Sequence, residues 1–135
     1  MLKLIIGVKG TGKTKTLISM VNEAVDASHG DVVCIEKGTK LRFDIKYQAR
    51  LINTEEYGIE DAHALFGFVA GILASNHDVT DLFVDSALKI CKNDVAEFEK
   101  MVVALDNLLE GQSTKVTITS SIPVEEASEV IKKFL

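Results

Sequence analysis

Residues 7–14, Gly-Val-Lys-Gly-Thr-Gly-Lys-Thr, have the form G-x-x-x-x-G-K-[ST] and directly follow the apolar run at residues 2–6. An apolar-periodic stretch follows at once, so the pattern predicts a strand, a glycine-rich loop and a helix. Such a loop points successive backbone N–H groups at one spot, where the helix dipole also favours negative charge. The stretch therefore predicts an α/β fold with a polyphosphate-binding loop.

The residue types in the loop suit that ligand. Its three glycines let the backbone curl around phosphates without Cβ clashes. We expect Lys13 to reach the β- and γ-phosphates, and the Thr14 hydroxyl to ligate magnesium. The predicted nucleotide-binding residues are Gly7, Gly10, Thr11, Gly12, Lys13, Thr14 and Lys15.

These residues resemble the P-loop NTPases. The run Leu82-Phe83-Val84-Asp85 resembles the Walker B strand of that superfamily, a buried strand ending in an acid that orders the magnesium shell. The resemblance implies ATP and Mg²⁺ as ligands, with Asp85 acting on the metal through water. It implies one P-loop nucleotide-binding domain over residues 1–135, most similar to a minimal RecA-like or KaiC-like ATPase domain.

The composition is that of one ordinary globular domain. The 135 residues carry a net charge of -5 and are 47% apolar, which argues against disorder and against bulk affinity for nucleic acid. Cys34 and Cys91 lack C-x-x-C spacing, so we expect reduced thiols. The longest uncharged apolar run, residues 64–74, is too short to cross a bilayer, and Met1 leads directly into the first strand. We therefore expect a cytoplasmic protein without membrane contact.

Strands and helices alternate along the chain. The predicted strands are residues 2–6, 31–36, 80–85 and 115–120, and the predicted helices are residues 14–27, 60–75, 94–110 and 123–135. Strands separated by helices imply right-handed crossovers and a parallel sheet covered on both faces. We predict a three-layer α/β/α sandwich with about four parallel strands and its ligand at their carboxyl ends.

One segment departs from this plan. From residue 41 to residue 51 every odd residue is apolar and every even one polar, which predicts a β-ribbon insertion around residues 40–53. Five basic residues, including Arg42 and Arg50, and one acid give residues 37–50 a local charge of +4. One interpretation is a charged antiparallel edge that discourages edge-to-edge pairing. The other is a surface for a protein partner or for a second copy of the chain and its nucleotide.

Hydrolysis needs a group that orients water in line with the γ-phosphate. Many P-loop ATPases carry a Glu directly after the Walker B Asp, but here the residue is Ser86. Glu36, at the end of the second predicted strand, resembles the position that RecA-like ATPases use, although a solvent-exposed charge is equally compatible. Thr119 and Ser120, on the strand expected between the first strand and residues 80–85, resemble a γ-phosphate sensor. The other interpretation of this strand end is helix capping by Ser120 or Ser121. The predicted catalytic residues are Lys13, Glu36 and Thr119.

The leading hypothesis is a Mg-ATP-binding protein with slow hydrolysis that self-assembly or a partner stimulates. An alternative is a nucleotide-gated binding module, in which ATP orders residues 37–50 for a partner; nucleic acid is not favoured in that role. A small-molecule or nucleoside kinase lacks an identifiable acceptor pocket. Lys9 lies four residues before Lys13, not five as in the signature of partitioning-type ATPases, so we assign it no role.

Overall fold

The strand and helix on either side of the glycine-rich loop form where the sequence predicts them. The computed structural model describes residues 1–135, in which strands and helices alternate. The strands are β1 (Leu2–Ile6), β2 (Asp31–Glu36), β3 (Arg50–Asn53), β4 (Val79–Val84) and β5 (Lys115–Ser120). The helices are α1 (Lys13–Ala27), α2 (Ala62–Ser75), α3 (Ala87–Ile90), α4 (Val95–Leu109) and α5 (Glu129–Lys132), with 3₁₀ turns at Thr54–Tyr57 and Val124–Glu126.

The five strands form one parallel sheet in the order β1-β5-β4-β2-β3. The strand that enters the glycine-rich loop is therefore an edge strand, and β5 lies between it and β4, as expected. Helices cover both faces, which confirms the α/β/α sandwich. The sheet has one strand more than predicted, because residues 50–53 add a parallel strand beside β2.

Alternating side chains of the strands build a core on each face of the sheet. On one face, Val33 and Ile35 of β2 belong to a large apolar cluster that includes the buried sides of α2 and α4. On the other face, Cys34 packs in a smaller cluster with Leu17 and Val21 of α1. The first face carries most of the apolar core. The face under α1 has the smaller apolar cluster, and polar side chains lie at its strand ends.

The predicted β-ribbon at residues 40–53 is wrong. Residues 38–49 form turns, and only Arg50–Asn53 is a strand. Leu41, Ile45 and Ala49 are buried in the smaller apolar cluster beneath α1, here called the α1-side core. Phe43 and Tyr47 are instead 86% and 92% exposed. The buried apolar residues therefore repeat every four positions. The apparent period of two in the sequence arose because the exposed Phe43 and Tyr47 lie midway between them. Since β2 and β3 are parallel, the chain between them must cross one face, and a hairpin cannot do this.

The predicted helix over residues 123–135 is also wrong as a single element. The chain forms the 3₁₀ turn Val124–Glu126, extends at Ala127, and restarts as the short helix α5 with Ser128 as its N-cap. The Ser128 hydroxyl accepts a hydrogen bond from the Ile131 N–H at 3.2 Å, which favours a new helix start over continuation. Cys34 and Cys91 are buried free thiols. None of the helices has the length and apolarity that crossing a bilayer demands.

Candidate functional site

Polar side chains end three neighbouring strands on the α1 face of the sheet. Glu36 ends β2, Asp85 directly follows β4, and Thr119 is the next-to-last residue of β5. Each continues the side-chain alternation that places Cys34 and Phe83 in the α1-side core. Because all strands are parallel, these three side chains meet at the carboxyl edge, beside the glycine-rich loop.

The glycine-rich loop needs glycine for two different physical reasons. Gly12 is the N-cap of α1 and has a φ of 84°, a left-handed conformation that residues with a Cβ rarely adopt. At Gly7 a Cβ would lie 2.7 Å from the Thr11 hydroxyl oxygen, which is closer than side chains pack. The Thr11 hydroxyl and the Lys13 ammonium group each donate a 2.8 Å hydrogen bond to the Val8 carbonyl. The loop is thus a compact turn at the start of α1.

Asp85 joins the loop to the sheet. Its carboxylate accepts hydrogen bonds from the Thr14 hydroxyl at 3.1 Å and 3.2 Å and from the Thr119 hydroxyl at 2.8 Å. The Thr119 oxygen in turn accepts a 2.8 Å hydrogen bond from the Ser86 N–H, so its proton points to Asp85. Ser86 has a φ of 53°, in the left-handed region, and turns the chain into α3 directly after Asp85. The carboxylate is 8% exposed and forms no ion pair with a basic side chain.

Glu36 is the second carboxylate at the strand ends and is 3% exposed. Its two oxygens accept hydrogen bonds from the backbone N–H groups of Lys40 and Leu41, at 3.0 Å and 3.2 Å. Burial raises the pKa of Glu36 above its usual value, and the charge of Asp85 adds to that shift, while the two N–H donors oppose it. Glu36 therefore fixes the start of the segment that follows β2, and both of its oxygens already have protein partners.

These groups line a cleft of about 370 Å³ at the carboxyl edge of the sheet. Its two carboxylates are Glu36 and Asp85, and a single lining residue is apolar. Its six lysines are Lys9, Lys13, Lys15, Lys37, Lys40 and Lys89. Burial lowers the pKa of the Lys13 ammonium group, and the nearby Asp85 charge opposes that shift. In a chain of net charge -5, this cleft concentrates positive charge at the N-terminus of α1, an arrangement suited to a polyphosphate.

The structure brings most of the predicted site residues to this cleft. Gly10, Gly12, Lys13, Thr14, Lys15, Glu36 and Asp85 line it, whereas Gly7, Thr11 and Thr119 do not. The Thr11 side chain lies beside Gly7 within the loop and donates to the Val8 carbonyl, and buried Thr119 donates directly to Asp85. Thr119 is therefore placed to position Asp85 and does not face the cleft.

Several cleft residues were not predicted as site residues. Lys37 and Lys40 belong to the basic segment after β2, and Lys89 lies four residues after Asp85 on α3. Lys9, to which the spacing gave no role, also lines the cleft. The excess of lysine in residues 37–50 was the signal for two of these residues. The location of Lys89 depends on the left-handed turn at Ser86, which no sequence pattern indicates.

Thr14 and Asp85 together present oxygen atoms of the kind that Mg²⁺ binds. Their side chains are hydrogen-bonded to each other, and hydroxyl and carboxylate oxygens are ligands that Mg²⁺ prefers. The chain contains no cluster of three or more His, Cys, Asp or Glu side chains that could hold a metal without a ligand. Mg²⁺ usually binds through one or two carboxylates together with substrate phosphates, so these residues fit a metal that arrives with a polyphosphate.

No protein-family model matches the chain, and no curated protein matches it in sequence.

Proposed function

We propose that this chain is a P-loop protein that binds Mg-ATP and hydrolyses it slowly. The observation that carries the proposal is the cleft at the N-terminus of α1, where the glycine-rich loop, six lysines and the Thr14–Asp85 pair converge. Lys13 would pair with the terminal phosphates and the loop N–H groups with their oxygens. Bound Mg²⁺ would neutralise phosphate charge, and Asp85 would orient its water shell.

Slow turnover follows from the carboxylates of the cleft. Ser86 occupies the position after Asp85, and Glu36 uses both oxygens to hold backbone N–H groups. Each Glu36 oxygen already accepts a backbone N–H, so orienting an attacking water would have to share this carboxylate with the segment that it holds in place. We therefore expect hydrolysis to require a change at Glu36 or a group from another molecule.

A nucleotide-gated binding module is the second candidate, and the position of Glu36 favours it. The same carboxylate lines the cleft and holds the N–H groups of Lys40 and Leu41. Lys37 and Lys40 also line the cleft, so bound phosphates would act directly on the start of the basic segment. The remainder of that segment exposes Phe43 and Tyr47 to solvent. Nucleotide occupancy would then change how these aromatic side chains are presented to a partner.

The partner we propose is a second copy of this chain, bound at the open edge of β3. Residues 42–50, which lead into β3, carry three basic and one acidic side chain, whereas residues 55–61 after β3 carry four acidic and no basic ones. Phe43, Tyr47 and Tyr57 are 86%, 92% and 53% exposed within these two ranges. We call residues 42–50 and 55–61 together the β3-edge surface. A surface with opposite charges and exposed aromatic rings suits a two-fold contact in which each part meets the other.

The test of the primary function is the Lys13→Ala variant. Removal of the ammonium group that faces the phosphates should abolish Mg-ATP binding or weaken it about 100-fold or more, measured by calorimetry, while thermal unfolding stays near that of the parent. Lys100→Ala is the matched control, because Lys100 lies on α4 in an exposed pair with Glu97 that contributes little. Equal ATP affinity in both variants and the parent would refute the P-loop assignment.

A further inference from the structure

The cleft differs from most small-molecule sites in having almost no apolar lining. Of its 14 lining residues only Leu41 is hydrophobic, and Leu41 is 3% exposed because it packs into the α1-side core. Pockets that recognise a nucleotide base usually offer hydrophobic or aromatic surface to its flat faces. This cleft offers none, so it lacks a platform on which a base would stack.

The cleft also lacks the amide and imidazole side chains that read the edges of a base with fixed donors and acceptors. Its lining contains no Asn, Gln, His or aromatic residue. The exposed aromatic rings of the chain, Phe43, Tyr47 and Tyr57, lie outside it. A site rejects a wrong substrate strongly only when its own polar groups would be left unpaired by that substrate. The hydroxyl groups in the lining, of Thr14, Ser86 and Ser121, can donate or accept, so they would not strongly reject one base in favour of another.

What the cleft does offer is charge. None of its six lysines forms an ion pair with an Asp or Glu side chain. A lysine ammonium group is a point charge that suits phosphate oxygens and carries little shape information. The loop N–H groups at the start of α1 are likewise suited to phosphate and indifferent to the base.

We infer that the ligand recognised by this cleft is the triphosphate group itself, whatever nucleoside it carries. The inference rests on the proposed function and extends it: ATP, GTP, UTP and inorganic tripolyphosphate are ligands of one class for this protein. The base and ribose project from the cleft without contributing to affinity.

The experiment is calorimetric titration of the full chain with the magnesium forms of ATP, GTP, UTP and tripolyphosphate, followed by displacement of ATP by tripolyphosphate. All four dissociation constants should agree within about tenfold, because tenfold corresponds to roughly 1.4 kcal/mol and a base contact would exceed this. A preference for ATP above that ratio, or failure of tripolyphosphate to displace ATP, would overturn the inference while leaving the proposed function intact. Binding of none of the four would overturn both.

Two variants exclude general attraction of polyanions to surface lysines. Lys89→Ala should weaken all four ligands by the same factor, because an ammonium group in the cleft would act on the phosphates that all four share. Lys13→Ala should remove binding of tripolyphosphate together with that of ATP. If tripolyphosphate still bound to the Lys13→Ala variant with parental affinity, it would bind elsewhere, and the inference would be wrong.

Discussion

Asp85 is a buried carboxylate whose partners are all hydroxyl groups. Thr14 and Thr119 both donate to it, and Ser86 donates at 3.3 Å. The pairing of Thr14 with Asp85 was predictable from the sequence. The glycine-rich loop places Thr14, and the end of β4 places Asp85, at the same carboxyl edge of the sheet. The role of Thr119 as the second donor was not predicted, since it depends on the sheet register that aligns β5 with β4.

Asp85→Asn tests the metal role at this residue. The amide keeps the size of the carboxyl group but loses the charge that would order the magnesium shell. We expect magnesium-dependent ATP binding to weaken on the order of 10- to 100-fold, with ADP binding in the absence of magnesium nearly unchanged. Calorimetry with and without Mg²⁺ measures both. Equal losses in the two conditions would assign Asp85 to the structure of the loop alone.

The Glu36→Gln variant tests the raised pKa of the buried carboxyl group through the pH dependence of the free energy of unfolding. Burial raises the pKa of Glu36 in the folded protein above 4.5, so the folded state retains its proton more strongly than the unfolded state. The stabilisation from that proton is complete below the unfolded pKa and is lost as the pH rises through the folded pKa. The free energy of unfolding of the parent, minus that of Glu36→Gln, should therefore fall as the pH rises above about 4.5.

Urea unfolding of both proteins at several pH values between about 4 and 8 gives this difference. A difference that increased with pH would mean that the N–H donors of Lys40 and Leu41 outweigh burial and hold Glu36 ionised. The sequence placed Glu36 at the strand end, but its partners follow from the path of residues 37–41, which no local pattern specifies.

The segment between β2 and β3 shows how a sequence period can mislead. Leu41 and Ile45 are one helical turn apart, and the Ile45 N–H donates to the Leu41 carbonyl at 3.0 Å. Exposed Phe43 and Tyr47 lie between and after them, so a count of apolar residues gave an apparent period of two. Periodicity assumes that large apolar side chains are buried. That assumption fails where large aromatic side chains are exposed to solvent. Exposed aromatic side chains of this kind often mark a binding surface.

Asn22→Ala tests how this segment is held on α1. The Asn22 side chain donates to the Asp44 carbonyl at 2.9 Å and accepts from the Lys46 N–H at 2.9 Å. Loss of both hydrogen bonds should increase amide exchange locally over residues 42–49 and lower the free energy of unfolding by about 1 kcal/mol.

Hydrogen exchange read by mass spectrometry or NMR locates the effect. Asn107→Ala is the matched control, because Asn107 is an exposed residue of helix α4 and gains the same helix propensity. If exchange over residues 42–49 did not change in Asn22→Ala, the burial of Leu41 and Ile45 alone would hold the segment.

At the scale of the whole molecule, the strand–helix alternation was sufficient to predict a parallel sheet with helices on both faces. It could not reveal β3, because residues 50–53 are too short and too mixed in character to stand out from the preceding turns. The addition of β3 matters for the surface of the molecule. It becomes the second edge strand of the sheet, with the basic segment before it in the chain and the acidic segment after it.

The last prediction is that the chain self-associates through the β3-edge surface. We expect Arg42→Glu/Arg50→Glu and Glu55→Lys/Glu56→Lys/Glu60→Lys each to remain monomeric, because each makes the two parts of the surface alike in charge. In an equimolar mixture the two variants should form a heterodimer, since both of its contacts again join opposite charges. Sedimentation velocity over a range of protein concentration measures each state, and added salt should weaken association.

Asp106→Lys/Glu110→Lys, at exposed positions in the last turn of α4 and at its C-cap, is the charge control and should associate like the parent. Phe43→Ser/Tyr47→Ser should weaken association while leaving the free energy of unfolding within about 0.5 kcal/mol of the parent, because both rings are exposed in the monomer. A parent chain that stayed monomeric up to about 1 mM would have less than roughly 4 kcal/mol of association free energy. That result would exclude a second copy as the partner and assign the exposed rings to a different protein.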